Sequence, residues 1–132
     1  MKIKSINPKF EMTKEELKNR TKVFALQIFK FLMSLEKNKA VDVISYQLFK
    51  SSSSVAANYR AVCRGKSTSD FLNKLKIVDE EADESLFWLE FIQGLEIDCD
   101  KNELERLIKE ANELVSIFSA GIKTIKQKNN LK

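Results

Sequence analysis

Histidine is absent from this chain of 132 residues, and proline, glycine and cysteine are rare. The lack of histidine excludes Ser-His-Asp and Cys-His nucleophilic sites, histidine-bound zinc, and the Glu-x-x-His di-iron sites of bundle cores. With one proline, Pro8, and three glycines, the chain has too few turn residues for a turn-rich β architecture. These absences remove most familiar enzyme classes, and we expect neither a catalytic residue nor a metal or cofactor.

Long apolar runs are also missing. Residues 1–10 carry charge but lack the apolar core of a signal peptide, and no later segment approaches the roughly 18 uncharged apolar residues of a membrane span. Apolar residues make up 43% of the chain, which is too many for a disordered protein. We expect a cytoplasmic protein with one domain over residues 1–132 and no membrane segment.

Start signals and apolar spacing predict three long helices, at about 13–35, 68–95 and 101–127. A side-chain oxygen that can cap a helix is followed three residues later by an acid in Thr13/Glu16, Ser67/Asp70 and Asp100/Glu103. Beyond each start, apolar or small residues recur at alternating gaps of four and three, which is a heptad stripe. The stripes run from Leu17 to Leu35, from Phe71 to Ile92 and from Leu104 to Ile125.

A fourth helix is predicted at about 39–63, although the run Ser51–Ser54 interrupts its apolar spacing. A flexible linker at the serines is the alternative. Short connections between helices make successive helices antiparallel, so the fold class is all-α, an up-down-up-down four-helix bundle. Cys63 and Cys99 would then lie at opposite ends, too far apart for a disulfide.

The net charge of +4 is unevenly distributed. Residues 67–100 carry ten acids and two bases, whereas 1–30, 31–66 and 101–132 are each basic. A basic face for an anionic partner is one interpretation, and internal pairing of an acidic helix with basic neighbours is the other.

Basic residues near the start of the first helix and the end of the fourth would meet at one end of an up-down bundle. They could bind phosphates, or merely keep the protein in solution. Arg60 and Arg64 share a helix face and could bind a phosphate or carboxylate, or else cap the helix and pair with Asp70 or a neighbouring subunit. The candidates for binding nucleic acid or a partner are Lys14, Lys18, Arg20, Lys22, Arg60, Arg64, Lys66, Lys123 and Lys126. The same end would also carry Lys2, Lys4, Lys9, Lys128 and Lys132.

Acidic and aromatic clusters mark the third helix. The acids at 79–84 have the spacing of a metal-binding face, but a solvated face or salt bridges to Lys50 is the simpler interpretation. Pairing about a turn at residue 65 would set Ser51–Ser54 opposite 77–80, where the hydroxyls could bond Asp79 or Glu80. Trp88 and its phenylalanine neighbours could stack on bases, though packing in the core or a subunit interface is favoured.

The apolar band on the first helix is wider than one stripe. It adds Val23, Leu26, Phe29 and Leu32 to the heptad positions. A band wider than one seam needs a second partner, which predicts oligomerisation.

The middle of the chain carries two recognisable motifs. VAANYRA at 55–61 leads into CRGKS at 63–67, and KLKIVDEEADESLFWLE follows at 74–90. These segments resemble the four-helix-bundle family of ribosomal-RNA intervening-sequence proteins. The resemblance gives Asn58, Tyr59, Glu81 and Trp88 structural roles as motif positions.

The resemblance also implies a non-enzymatic protein that assembles into a ring, commonly a homopentamer. Some relatives are encoded by inserts in large-subunit ribosomal RNA genes. A related branch serves diversity-generating retroelements and binds a reverse transcriptase and nucleic acid through a basic exterior.

The expected function is therefore that of a homo-oligomeric, pentameric adaptor. It would bind RNA or DNA, a reverse transcriptase or other protein, or both, through a basic surface. The alternative is a structural protein–protein interaction module with no role in nucleic-acid binding, in which the basic groups face carboxylates.

Overall fold

The computed structural model describes residues 2–3 and 12–130, and four long helices account for nearly all of these residues. They are α1 (Lys14–Met33), α2 (Lys39–Val62), α3 (Thr68–Leu95) and α4 (Lys101–Lys128). Two short strands, β1 (Lys2–Ile3) and β2 (Met12–Thr13), pair antiparallel before α1. The predicted all-α class with four helices is confirmed, and each helix boundary lies within two residues of its predicted place. Lys4, Lys9 and Lys132 of the predicted basic end, and the side chain of Lys2, lie outside the described residues.

Side-chain caps begin all four helices. The three predicted caps are confirmed, because each side-chain oxygen accepts the backbone N–H of the third residue onward at 3.0–3.1 Å. Asn38 caps α2 in the same way, accepting from the Val41 N–H at 3.0 Å, and the sequence analysis missed it. Among the hydrogen bonds of the described residues, none joins one of these acids to the backbone amide of its cap. Glu16 accepts from the Thr13 hydroxyl, and Glu103 accepts from Arg106.

The serine run lies inside α2, so the linker alternative is wrong. Ser51 and Ser52 are fully buried, and their hydroxyls donate to the carbonyls of Leu48 and Phe49 one turn back. A serine that bonds its own helix needs no partner elsewhere, which makes it tolerable in a core. These small side chains allow α3 to approach closely, and the Ser85 hydroxyl lies 3.0 Å from that of Ser51.

The predicted register between α2 and α3 is wrong by about one helical turn. Ser51 pairs with Ser85 rather than with 77–80, and Gly65 lies against Phe71, whose Cα would be 3.4 Å from a Cβ placed on the glycine. In both pairs the α3 residue lies the same number of positions later than predicted. The connection after α2 is therefore not a symmetric turn about residue 65. Asp79 therefore accepts from Ser119 of α4, at 3.1 Å, instead of from a serine of α2.

Neighbouring helices run antiparallel. Two hydrogen-bonded pairs show the direction for α1 and α4, since Arg20 meets Glu110 while Gln27 meets Arg106, further along α1 and earlier in α4. The Ser51–Ser85 and Gly65–Phe71 pairs show it for α2 and α3. α1 and α3 therefore begin at the end of the bundle where α2 and α4 finish.

Apolar stripes form the core as predicted on α1 and α3, where every stripe residue is buried. On α4 the prediction is partly wrong. Leu107, Leu114 and Ile117 are fully buried, while Ile108 and Val115 are only partly buried. Leu104, Ala111 and Phe118 are buried as predicted, but the positions between them are displaced by one residue, so that Leu107 and Leu114 are buried in place of Ile108 and Val115.

Candidate nucleic-acid interface

One end of the bundle collects cationic side chains from three places in the chain. Lys14 at the start of α1, Lys66 before α3 and Lys128 at the end of α4 line a pocket of about 440 Å³. Ser67, Thr68 and Asn129 lie in the same wall. We call this region, together with nearby cations of the α2–α3 connection and the last turns of α4, the basic end. Its members are Lys14, Arg64, Lys66, Lys123, Lys126 and Lys128.

Few of the cations of the basic end are paired with an acid in the part of the chain that the structure describes. Asp70 is occupied, since its carboxylate accepts from Lys74 at 3.0 Å and from the Lys66 backbone N–H at 3.3 Å. These bonds hold the pKa of Asp70 below its ordinary value, Lys74 contributing most. Arg64, Lys66 and Lys128 form no ion pair with any described residue. The partial positive charges at the N-termini of α1 and α3 are offset by the partial negative charges at the C-termini of α2 and α4, so the positive charge of this end comes from its side chains.

Lys14 is held by an aromatic ring as well. Its ammonium lies 5.5 Å from the centroid of the Phe71 ring, within the range of a cation–π contact. This contact positions the lysine at the pocket without cancelling its charge. Lys14 therefore remains able to face an anion.

Arg20, one of the predicted binding residues, is engaged within the bundle. Its guanidinium donates two bonds to Glu110, at 2.8 and 2.7 Å, and a third to Glu113 at 3.2 Å. The hydrogen bond to Glu110 raises the pKa of Arg20 above its ordinary value, against the opposing effect of burial. This fork joins α1 to α4, so we leave Arg20 out of the candidate interface.

The remaining predicted cations lie in a groove between α1 and α2. Lys18 and Lys22 on α1 and Arg60 on α2 line one part of a cavity of about 570 Å³. The rest of the lining is apolar or small, and we call this cavity the α1–α2 groove. The apolar and small lining residues are Ala25, Leu26, Phe29, Phe49, Ser53, Ala56 and Ala57.

The sequence analysis missed this groove because no single helix contains it. Its only signal in the sequence was the wide apolar band on α1, against which α2 packs to form the groove.

The predicted pairing of Arg60 and Arg64 with Asp70 is not found within the described part of the chain, because Lys74 pairs with that carboxylate.

The family-motif residues serve packing and helix-internal bonding. Tyr59 is fully buried with its ring centroid 5.9 Å from that of Phe118, and burial with nearby Cys63 raises its pKa. Asn58 donates to the Ser54 carbonyl at 2.9 Å, and Trp88 is partly buried. Among the described residues, the Tyr59 hydroxyl and the Trp88 indole N–H are buried without a hydrogen-bond partner.

The acidic run of α3 at 79–84 is surrounded by hydrogen-bonding and charged side chains of the bundle. Burial raises the pKa of Asp79, which Ser119 partly offsets by its hydrogen bond, and burial with Glu84 raises the pKa of Glu81. Lys50 acts on Glu81 in the opposite direction, but no described ion pair joins them. Over the described residues, no group of three or more His, Cys, Asp or Glu side chains could hold a metal ion.

Two other sequence expectations concern the thiols and the membrane. Cys63 and Cys99 are free thiols at opposite ends of the bundle, as predicted. Where the structure describes the chain, none of its helices combines the length and apolar character that crossing a membrane requires.

Comparison with known proteins decides the family. The profile of the 23S rRNA-intervening sequence protein family matches residues 13–120, which contain most of all four helices. The chain belongs to this family. The matched stretch includes both motif segments that suggested the resemblance.

A solved member of the related group shares the fold. A crystal structure of a protein of unknown function from the S23 ribosomal protein family of Bacteroides thetaiotaomicron VPI-5482 superimposes with a TM-score of 0.73. Sequence identity is 30%, over 85% of this chain and 99% of the other. No curated protein matches this sequence.

Proposed function

We propose that this 23S rRNA-intervening sequence family member is a non-enzymatic, cytoplasmic, homo-oligomeric adaptor that binds nucleic acid through its basic end. The observation that carries the proposal is the pocket lined by Lys14, Lys66 and Lys128, whose ammonium groups form no ion pair with any described residue. Phosphate oxygens are natural ligands for such a group, because lysine contacts with backbone phosphates need no base sequence.

The adaptor is proposed to work as a ring of five copies, following the family resemblance. Large apolar side chains of α1, α2 and α3 lie exposed on the single chain, including Leu26, Met33, Phe87 and Phe91 at 42–55% of their full accessibility. Surfaces of this kind mark protein contacts. A ring would repeat the basic end several times, so that weak phosphate contacts add up along one nucleic acid.

The family resemblance also suggests a second partner, a protein. A nucleic-acid enzyme such as a reverse transcriptase would be held near the nucleic acid by the same ring. The charge at the basic end suits either an RNA or DNA backbone or an acidic protein surface. A pull-down from the native host, treated with nuclease or left untreated, separates a direct protein partner from one held through nucleic acid.

Electrophoretic mobility shifts with structured RNA and duplex DNA over a salt series test the proposal. We expect binding at 50 mM salt that weakens steeply by 200 mM. The double variant Lys66→Glu with Lys128→Glu should lose at least ~10-fold in affinity, because it replaces two cations of the pocket with acids.

The matched control is Lys37→Glu with Lys101→Glu. It makes the same change of net charge with exposed lysines at the opposite end of the bundle. Equal losses in the two double variants would show that only net charge matters and would place binding elsewhere. Absence of any shift at low salt would favour the alternative, a protein–protein interaction module.

A further inference from the structure

The outward face of α3 carries a continuous line of exposed side chains. Ile77, Phe87 and Phe91 lie exposed at spacings that keep them on one side of the helix, opposite the buried stripe. Acids stand on the same side between the isoleucine and the phenylalanines. We call this line the α3 stripe, consisting of Ile77, Glu80, Glu84, Phe87, Phe91 and Leu95.

The α3 stripe and the α1–α2 groove have the same order of chemistry. Along the α1 side of the groove, Lys18 and Lys22 come first, and Leu26 and Phe29 follow. Along α3, Glu80 and Glu84 come first, and Phe87, Phe91 and Leu95 follow. From Lys18 to Phe29 and from Glu80 to Phe91 the chain advances by the same number of residues, or ~17 Å at 1.5 Å per residue.

Most charges on these two surfaces form no ion pair with the residues that the structure describes. In the described residues, Lys22, Arg60, Glu80 and Glu84 form no ion pair, and Lys18 approaches only Glu15, at 3.6 Å. The two surfaces share no residue, so one copy can use both at once. Two surfaces on which opposite charges face each other, next to apolar side chains that face each other, are suited to form a protein interface.

We infer that the α1–α2 groove receives the α3 stripe of a second copy of this chain, with that α3 parallel to α1. Glu80 and Glu84 then face Lys18, Lys22 and Arg60, while Phe87 and Phe91 cover Leu26 and Phe29. The inference rests on the homo-oligomer proposed above and names its joint. Because the two surfaces differ, the contact is head-to-tail, and repeating it closes a ring or extends a filament.

This joint divides the cations of the chain between two roles. Lys18, Lys22 and Arg60 would be covered by the neighbouring copy, whereas Lys66 and Lys128 stay outside the contact. The basic end would then remain open to an anion in every copy. Arg60 and Arg64, four residues apart, would serve different partners.

Charge reversal tests the joint, with molar mass measured by light scattering over a dilution series. Lys22→Glu alone and Glu84→Lys alone each place like charges together, so the concentration at which the oligomer dissociates should rise at least ~10-fold. The double variant Lys22→Glu with Glu84→Lys restores opposite charges with reversed polarity. We expect its dissociation concentration to return to within about threefold of the wild type.

Matched controls use the same changes on α4, as Lys109→Glu and Glu105→Lys, at exposed positions outside both surfaces. They should leave the dissociation concentration unchanged, and circular dichroism should show equal helix content in all variants. A wild-type oligomer that neither single variant weakens would overturn the joint while leaving the proposed function intact. A wild type of 15.2 kDa at every concentration would overturn both the joint and the proposed oligomer.

Discussion

Whether a charged side chain of this bundle is paired or free to bind depends on the residue that faces it on the neighbouring helix. Arg20 and Lys66 are both cations near the same end of the bundle, yet Arg20 is bound by Glu110 while the ammonium of Lys66 forms no ion pair with a described residue. Asp79 is a partly buried acid whose pKa is raised, chiefly by burial. These differences make separate predictions for stability.

Replacing Arg20 should destabilise the contact between α1 and α4. Arg20→Ala leaves Glu110 and Glu113 half-buried without their cation, so we expect the free energy of unfolding to fall by about 1–3 kcal/mol. Arg106→Ala breaks an exposed pair with Glu103 and an exposed hydrogen bond to Gln27, and because water screens both it should cost no more than about 0.5 kcal/mol. Urea unfolding followed by circular dichroism measures both, and equal losses would contradict the structural role assigned to Arg20.

Neutralising Asp79 should stabilise the protein at neutral pH. Because the folded pKa lies above the unfolded value, the folded state binds the proton more tightly, and this acid costs stability above both pKa values. Asp79→Asn should therefore raise the free energy of unfolding at pH 7 by up to about 1 kcal/mol, allowing for solvent screening. The gain should vanish as the pH falls below about 4. A gain that is independent of pH would show that charge is not its cause.

At the scale of helices, the elements were predictable because their signals are local. A cap such as Thr13 and a stripe such as Leu17 to Leu35 lie within one segment, and the structure reproduces both. The register of α2 on α3 was not predictable in the same way. It depends on how the residues after Val62 turn and on the packing of Gly65 against Phe71, which no helical periodicity encodes.

The close approach of α2 and α3 should depend on the size of the buried serines. Ser51→Leu forces a large side chain between the helices and should lower the free energy of unfolding by about 1–3 kcal/mol. Ser51→Ala with Ser85→Ala removes both hydroxyls and should be nearly neutral. Urea denaturation of the two variants tests this, and tolerance of leucine would mean that the helices have room to move apart.

On the scale of the molecule, the sequence predicted the basic end but not which of the predicted cations belong to it. An up-down bundle must bring the start of α1 beside the end of α4, so Lys14 and Lys128 were expected to meet. The partner of Arg20 lies 90 residues away on another helix, and the α1–α2 groove needs two helices to exist. Long-range packing therefore decides which cations stay available.

The proposed working unit is several copies joined through apolar surface. Removing the exposed rings with Phe87→Ser and Phe91→Ser should lower the molar mass toward that of one chain at micromolar concentration, while helix content stays constant. The comparison is Phe24→Ser, a core change that should instead unfold the protein. An unchanged mass in the double variant would exclude this aromatic pair from the subunit contact.

Sedimentation velocity with a fluorescently labelled structured RNA tests the central claim most directly, because it reports binding and copy number together. At 50 mM salt we expect the RNA to sediment with several copies of the 15.2 kDa chain, and at 500 mM salt to sediment alone. RNA that sediments alone at 50 mM salt, or that carries a single chain, would contradict the account.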